Sequence, residues 1–324
     1  MRTAWLKIRM GLSVVLLFAI IYGLMVFIAT VAGVGTPIVY ALLAFLIVAG
    51  QFFLGPKMVE RVMKIKYVSE SEAPELHGMV TELAMRAGIP KPKVGISEVP
   101  IPNAFAFGTS KGNARVCVTR ELMNILNKDE LEGVLAHEIS HVRHRDMVVI
   151  TALSAIPMIA YMVYFSFLFS GIFGGGGDDE SSIPALAIAI VAFIIYFLTN
   201  LVVLYASRIR EYYADAGSVE LTTKPQALAS ALYKLTNANA RVNKKKVKKE
   251  MESMRAFFAT DPMKASDEIK NLQDADRDRN GRIDRDELEY FAQRAEIKTT
   301  DRIMEFFSTH PNPVSRVKRL GGYL

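Results

Sequence analysis

His137 and His141 stand four residues apart, and Glu138 directly follows the first of them. Residues four apart lie on one face of a helix, so the two imidazoles would point at the same cation. Glu138 is offset by one residue and would lie beside that cation without binding it. This H-E-x-x-H spacing is typical of zinc sites in which the glutamate acts as general base. The alternative is a polar helix end that carries two surface histidines.

A catalytic zinc ion needs a third protein ligand and an open position for water. One continuation of the motif would place glycine at position 144 and histidine at position 147, but the chain has His144 and Met147 there. That class of site is therefore excluded. As a fourth zinc ligand, His144 would occupy the position that water needs. We therefore expect its side chain to be exposed, or to contact one of the metal-binding residues without binding the metal.

The best candidate for the third ligand lies in "SRIREYYADAGS", residues 207–218, where Glu211 and Asp215 are four apart and share a helical face. One carboxylate would bind the metal, and the other would hold a ligand histidine by its second ring nitrogen. The alternative for Glu211 is a surface ion pair with Arg208 or Arg210.

Three stretches of the sequence contain no charged residue: Leu12 to Pro56, Met147 to Gly177 and Ser181 to Ser207. The elements that they form determine whether the candidate ligands can come together. A transmembrane helix needs about 20 apolar residues, so the first stretch predicts two spans, divided near Ala32 to Pro37, and the others one each. The two hairpins return the chain to the same side. We therefore expect His141 and Glu211 to meet at the membrane surface.

Flanking charge predicts the orientation. Basic residues border both hairpins on one side: Arg2, Lys7, Arg9, Lys57, Arg61, Lys64, Lys66, Arg143, Arg145, Arg208 and Arg210. The far-side loop, Gly174 to Ser182, has no lysine or arginine. The positive-inside rule places both termini and all large polar segments in the cytoplasm of a multi-pass cell-membrane protein. These flanks explain most of the net charge of +6, and no nucleic-acid partner is expected.

Five segments together resemble the HtpX heat-shock membrane metalloproteases, relatives of the CAAX prenyl endopeptidases. They are "LAMRAGIPKPKVGI" (83–96), "PNAFAFG" (102–108), "VLAHEISHVRHRD" (134–146), "SRIREYYADAGS" (207–218) and "FSTHPNPVSRVKRL" (307–320). The resemblance covers most of the chain outside about 240–300. It implies one zinc ion bound by His137, His141 and Glu211, with Glu138 as general base and Asp215 behind a ligand. In that mechanism zinc acidifies a water and polarises the scissile carbonyl, and Glu138 moves the proton to the leaving amine.

The resemblance also indicates substrate contacts. Asn103, Ala104 and Phe105 would belong to an edge strand that binds an extended substrate by strand addition, although a purely structural role is an equal alternative. His310 and Arg316, in "THPNPVSR", would stabilise the oxyanion, the alternative being a helix-capping turn.

The predicted fold is a mainly α membrane protein, with four transmembrane helices and a cytoplasmic α+β zincin-like protease domain. Short β-rich runs, "KVGISE", "AFAFGT" and "ARVCVTR", predict the small sheet of that domain. The predicted organisation is a first hairpin (1–56), a protease part with the H-E-x-x-H helix (57–146), a second hairpin (147–207), helices with the third ligand (208–262), an insertion (263–300) and a C-terminal protease motif (301–324).

The insertion carries "DRDRNGRIDRDE", residues 276–287, which matches the twelve-residue loop of an EF-hand. The calcium ligands would come from Asp276, Asp278, Asn280, the carbonyl of Arg282, Asp284 and Glu287, with Gly281 in the turn. Four arginines in the loop predict weak binding. We expect a Ca²⁺ site that stabilises or gates a lid near the cleft; the alternative is a solvated loop.

These patterns predict a membrane-embedded zinc endopeptidase that faces the cytoplasm and cleaves misfolded or damaged membrane proteins. Its partners would be the lipid bilayer and unfolded or membrane-protein substrates. Two alternatives remain: a CAAX-type prenyl-protein endopeptidase, and a non-catalytic calcium-responsive scaffold whose zinc site is structural.

Overall fold

The computed structural model describes residues 37–173, 182–241, 269, 271–297 and 305–324. The first predicted span therefore lies outside the described residues. The elements in chain order are α1 (Pro37–Val62), β1 (Ile65–Tyr67), α2 (Pro74–Ala87), β2 (Lys93–Ser97), β3 (Ala104–Gly108), β4 (Ala114–Thr119), α3 (Arg120–Ile125), α4 (Lys128–Arg143), α5 (Asp146–Phe173), α6 (Ser182–Thr222), α7 (Pro225–Arg241), α8 (Arg285–Arg294) and α9 (Pro313–Gly321).

The chain divides into two compact units. The first contains the described residues up to Gly55 and Val148–Ile209, and the second contains Pro56–Met147 and the described residues from Arg210 to Leu324. Both units are mainly helical, and the small sheet lies in the second, as the sequence predicts.

The first unit has the composition of a membrane-spanning region. Among the described residues, two helices are long and apolar enough to cross a bilayer, Asp146–Leu168 with mean hydropathy 2.0 and Pro184–Thr222 with 2.6. Small and β-branched residues pack between them, and large apolar side chains point outward: Phe165, Ile190, Phe193, Ile194, Phe197 and Leu198. Outward apolar side chains suit lipid rather than water. The third and fourth predicted spans are thus confirmed as candidate spans, and the count of four stays a prediction.

The sheet of the second unit has the order β1-β2-β4-β3. β2 and β4 are parallel, whereas β1 and β3 pair antiparallel to β2 and β4 respectively. β3 is therefore an edge strand of this sheet, and it packs against helix α4. An edge strand keeps one row of backbone donors and acceptors unpaired.

Helix α4, which carries the H-E-x-x-H motif, runs through the middle of the second unit. It begins with a capping box in which Asn127 and Glu130 exchange side-chain and backbone hydrogen bonds. Leu135, Ala136 and Ile139 are fully buried in the main core. Because so little of this helix reaches water, its polar side chains require partners inside the protein.

The last turns of α6 supply those partners, because they lie directly against α4. A Cβ atom at Gly217 would come within 2.0 Å of the Ser140 Oγ, so only glycine permits this approach. One turn away, the Ser218 hydroxyl donates to the Gly133 carbonyl across the same contact, at 2.7 Å. The close packing brings the carboxylates of α6 opposite the histidines of α4.

Candidate metal centre

Three side chains from α4 and α6 converge on one point. The Nε2 atoms of His137 and His141 are 3.1 Å apart. Glu211 faces both, with one carboxylate oxygen 3.6 Å from the His137 Nε2 and the other 3.5 Å from the His141 Nε2. Each residue offers a ligand atom within 4.8 Å of the other two. The structure thus brings together the three side chains that the sequence proposes as ligands.

Carboxylates lie behind both imidazoles. Asp215 is 3.0 Å from the Nδ1 of His137, and Asp146 is 2.5 Å from the Nδ1 of His141. A carboxylate on one ring nitrogen fixes the proton there and directs the lone pair of the other nitrogen toward a metal. Both Nε2 atoms are therefore oriented as ligands.

Two buried arginines hold these carboxylates in turn. Arg316, on α9, makes two hydrogen bonds to Asp215, of 3.0 and 2.6 Å. Arg210 binds Asp146 at 2.7 Å. Arg316 is only 1% exposed, and it contacts the Glu211 Oε2 with its Nη1 at 3.3 Å as well as Asp215. Its position therefore favours a clamp behind the proposed ligands over the predicted oxyanion donor. Glu211 is buried and Arg210 binds Asp146, so the structure does not favour a surface ion pair between Glu211 and Arg210.

The electrostatics of the centre favour a bound cation. Burial lowers the pKa of His137, but the nearby carboxylates of Asp215 and Glu211 outweigh this effect, and the net pKa is raised. The Oε2 atom of Glu211 is buried and makes no hydrogen bond, and the Nη1 of Arg316 lies 3.3 Å from it; Nδ1 of His310 is also buried without a hydrogen bond. A buried unsatisfied carboxylate oxygen is costly unless a cation completes it. Two imidazole nitrogens and one carboxylate oxygen are the donor set of catalytic zinc sites, so the residues fit zinc.

The remaining predicted groups surround this set in different ways. Glu138 is 5% exposed and follows His137 on α4. His310 is partly buried and lies with Nδ1 3.6 Å from Glu211. His144 is exposed, with its Nδ1 3.3 Å from the Ser140 hydroxyl. It lies outside the group of three potential ligands, as expected from the sequence.

The side chains proposed for substrate contact are buried. Asn103 is fully buried, and its backbone is tied to Thr119 by two hydrogen bonds of 2.9 Å. Ala104 packs into the main core, and Phe105 packs in a second apolar cluster beside Phe107. Their burial favours the structural role of these side chains over direct contact with a substrate. The backbone of the edge strand remains available to a substrate.

Residues 276–287 form a second group of acidic side chains. Carboxylate oxygens of Asp276, Asp278 and Glu287 lie within 4.8 Å of one another. The glycine of the loop has φ 82°, as the tight turn requires, and its N–H donates to Asp276 at 3.0 Å. Helix α8 begins at Arg285, within the last positions of this loop, with Asp284 as its N-cap.

Asp146 and Arg210 also belong to the metal centre, which the sequence did not predict. Asp146 was expected only as a charge beside the H-E-x-x-H motif, and Arg210 as a basic residue that flanks a span or pairs with Glu211 on the surface. Arg145 has φ 57°, which breaks the helix between α4 and α5 and turns the Asp146 side chain back to His141. An acidic residue at the start of an apolar helix is a helix-start signal, but that signal does not reveal a histidine partner.

Replacing Asp146 with asparagine is expected to weaken zinc binding by about 10–100-fold, because carboxylates behind metal-binding histidines contribute that much. Competition with a zinc chelator measures the effect. Asp129→Asn is the matched control, since Asp129 is exposed and pairs with Lys224 on the surface. Equal zinc affinity in the two variants would show that Asp146 does not orient His141.

The fold and this centre together define a metal-dependent hydrolase anchored by apolar helices. Residues 70–323 match the family described as peptidase family M48. The "Protease HtpX homolog" of Methanothermobacter thermautotrophicus is 52% identical over 230 residues, covering 71% of this chain and 85% of the relative. The homolog of Pyrococcus furiosus is 35% identical over 309 residues, covering 94% and 93%. The chain belongs to peptidase family M48, as a membrane zinc metalloprotease of the HtpX type.

A solved structure supports the same architecture. The crystal structure of Ste24p from S. mikatae has a TM-score of 0.55 at 17% identity, and covers 98% of this chain and 67% of that one. At this identity the likeness concerns the fold alone. The family match and the HtpX relatives, together with the three convergent ligands, favour the protease over the non-catalytic scaffold.

Proposed function

We propose that the protein is a zinc endopeptidase at the membrane surface that cleaves misfolded or damaged membrane proteins. The observation that carries this proposal is the convergence of His137, His141 and Glu211 among the residues that the structure describes. Three such ligands are the set that catalytic zinc sites combine with a position for water. A structural zinc site would use four protein ligands. The alternative substrate class, prenylated peptides, has support only from the relation between the two families.

The residues of the centre would have different roles in catalysis. His137, His141 and Glu211 would hold zinc, which when bound acts as a Lewis acid toward water and the scissile carbonyl. Glu138 would accept a proton from the attacking water and donate it to the leaving amine. His310 would donate to the oxyanion that develops on the substrate, since its Nδ1 lies unpartnered beside Glu211.

The outer residues position the ligands. Asp215 and Arg316 form one chain of contacts behind His137, and Asp146 and Arg210 form another behind His141. Fixed ring orientations mean that the ligands need no rearrangement when the metal and substrate arrive.

Strand β3 is the proposed substrate platform. It is an edge strand that packs against the helix of the metal centre, and most of its side chains are buried. Backbone pairing with an extended segment gives affinity without demanding a particular sequence. A protease of damaged proteins requires such tolerance, because its substrates share an unfolded backbone rather than a motif.

Cleavage assays separate the two substrate classes. The purified protein in detergent, loaded with zinc, is expected to degrade casein or an unfolded membrane protein, and a zinc chelator should stop it. Prenylated and unprenylated forms of one peptide should be cleaved at similar rates. Cleavage that strictly requires the prenyl group, with casein left intact, would establish the CAAX-type activity instead.

We also propose four spans with both termini and the metal centre in the cytoplasm, on the basis of the flanking basic residues. Cys117 is the one cysteine of the sequence and is fully buried. A thiol reagent should therefore label only a cysteine that is introduced at an accessible position. An impermeant thiol reagent added to intact cells should label Gly176→Cys, but should label Lys128→Cys only after permeabilisation. The opposite labelling pattern would invert the orientation.

A further inference from the structure

The acidic loop contains a buried oxygen that has no partner in the protein. Asp276 is 5% exposed, and its Oδ1 makes no hydrogen bond, whereas its Oδ2 accepts from the Gly281 N–H. The Tyr233 hydroxyl lies near the same carboxylate, and burial together with Asp276 raises the pKa of Tyr233 to about 12. A buried carboxylate oxygen without a donor is costly unless a cation completes it.

The other carboxylates of the loop face the same point. Glu287 is 7% exposed and joins Asp276 and Asp278 in one group of oxygens. These residues occupy positions 1, 3 and 12 of the loop, and Asn280, the Arg282 carbonyl and Asp284 occupy the other positions that bind calcium in EF-hands. Oxygen donors in this number suit a hard cation that accepts six to eight ligands.

The loop is also joined to the protease core. Ile283, at position 8, is buried, and its N–H donates to the Ser230 hydroxyl of α7 at 3.2 Å. That hydroxyl donates to Glu130 at 2.7 Å, and Glu130 caps the helix of the metal centre. The contact with α7 thus satisfies the buried backbone N–H of Ile283.

The helix that follows the loop packs against the helix that carries Arg316. A Cβ atom at Gly321 of α9 would come within 2.4 Å of Ala292 of α8, which shows how closely the two helices approach. Lys318 of α9 also donates to the Ala295 carbonyl at the end of α8. Arg316, on the same helix, binds Asp215 of the metal centre.

We propose that residues 276–287 bind one calcium ion, and that the ion fixes α8 against α7 and α9 and so stabilises the position of Arg316. The inference does not depend on proteolysis, because each step is a contact within the folded chain. The exposed arginines of the loop lower its net negative charge, so we expect a dissociation constant of about 10⁻⁴–10⁻³ M, the weak end of the EF-hand range.

Calorimetry on the full chain tests the binding. The protein carries Glu138→Gln to prevent self-cleavage and is loaded with zinc, so that calcium meets an occupied metal centre. Calcium chloride should give a saturable heat with about one site per chain, and Asp276→Asn and Glu287→Gln should each weaken it by about tenfold or more, because both remove a charged ligand. Asp286→Asn is the matched control, since Asp286 is exposed, at position 11 of the same loop.

Hydrogen exchange tests the coupling to α9. Calcium should slow amide exchange at Ile283, in α8 and in α9 of the parent protein, and should leave exchange unchanged in Glu287→Gln. Retained zinc identifies variants that are folded. The site is refuted if calcium gives no heat at about 10 mM, tenfold above the weakest expected constant, or if both ligand variants bind it as the control does. Binding without slower exchange in α9 refutes the coupling.

Discussion

Replacing Glu138 with glutamine is expected to lower the rate of casein cleavage by about 10²–10⁴-fold, the range that general acid–base catalysis contributes, while zinc content stays unchanged. Glutamine has nearly the size of glutamate, and Glu138 is buried, so the fold should tolerate the change. The amide cannot accept a proton from water. The proposed ligands are His137, His141 and Glu211, so the metal should remain bound.

Glu132→Gln is the matched control for this experiment. Glu132 lies on the same helix, is partly exposed and forms ion pairs with Arg86 and Lys224. Metal analysis and the cleavage rate of both variants are measured on the same preparations. Full activity of Glu138→Gln with zinc present would remove Glu138 from the mechanism and would require another base in the centre.

Much of the metal centre could be predicted from the sequence, because its ligands follow helical spacing. His137 and His141 are four apart, as are Glu211 and Asp215, and the structure places both pairs on facing helices. The apolar stretches between them predict a hairpin, which explains how residues 70 positions apart in the sequence come together. Helical spacing was therefore sufficient to predict the three proposed metal ligands.

The partners of the ligands could not be predicted in the same way. Arg316 and Asp215 are 101 residues apart, and no spacing rule joins them. The contact of Asp146 with His141 depends on the left-handed backbone conformation of Arg145. Residues other than glycine rarely adopt this conformation, and the sequence does not predict it. Such contacts result from tertiary packing.

The sheet shows a similar division. The three β-rich runs match β2, β3 and β4 almost residue for residue, because buried strands are rich in β-branched and aromatic residues. β1 was not predicted, since its three residues are mostly exposed and too few to show alternation. The parallel pairing of β2 with β4, which leaves β3 at the edge, is a matter of topology that strand patterns do not contain.

Removing the third proposed ligand should have the second large effect. Glu211→Ala is expected to reduce bound zinc from about one ion per chain to nearly none, and to abolish cleavage, because two imidazoles alone do not complete a catalytic zinc site. Glu211→Gln should also lose zinc, since it keeps the size of the side chain but removes the negative charge. The comparison separates loss of charge from loss of packing.

The control for this experiment lies on the same helix. Glu220 is exposed and pairs with Arg143 on the surface, so Glu220→Ala should keep zinc and activity. Metal analysis after gel filtration gives the zinc content, and circular dichroism shows whether each variant is folded. A folded Glu211→Ala protein that retains zinc would move the third ligand elsewhere; among the described residues, His310 would be next to examine, because its Nδ1 lies 3.6 Å from Glu211 and has no hydrogen bond. Loss of zinc in Glu211→Ala but not in Glu220→Ala would establish that the carboxylate from α6, which faces both imidazoles of α4, binds the metal.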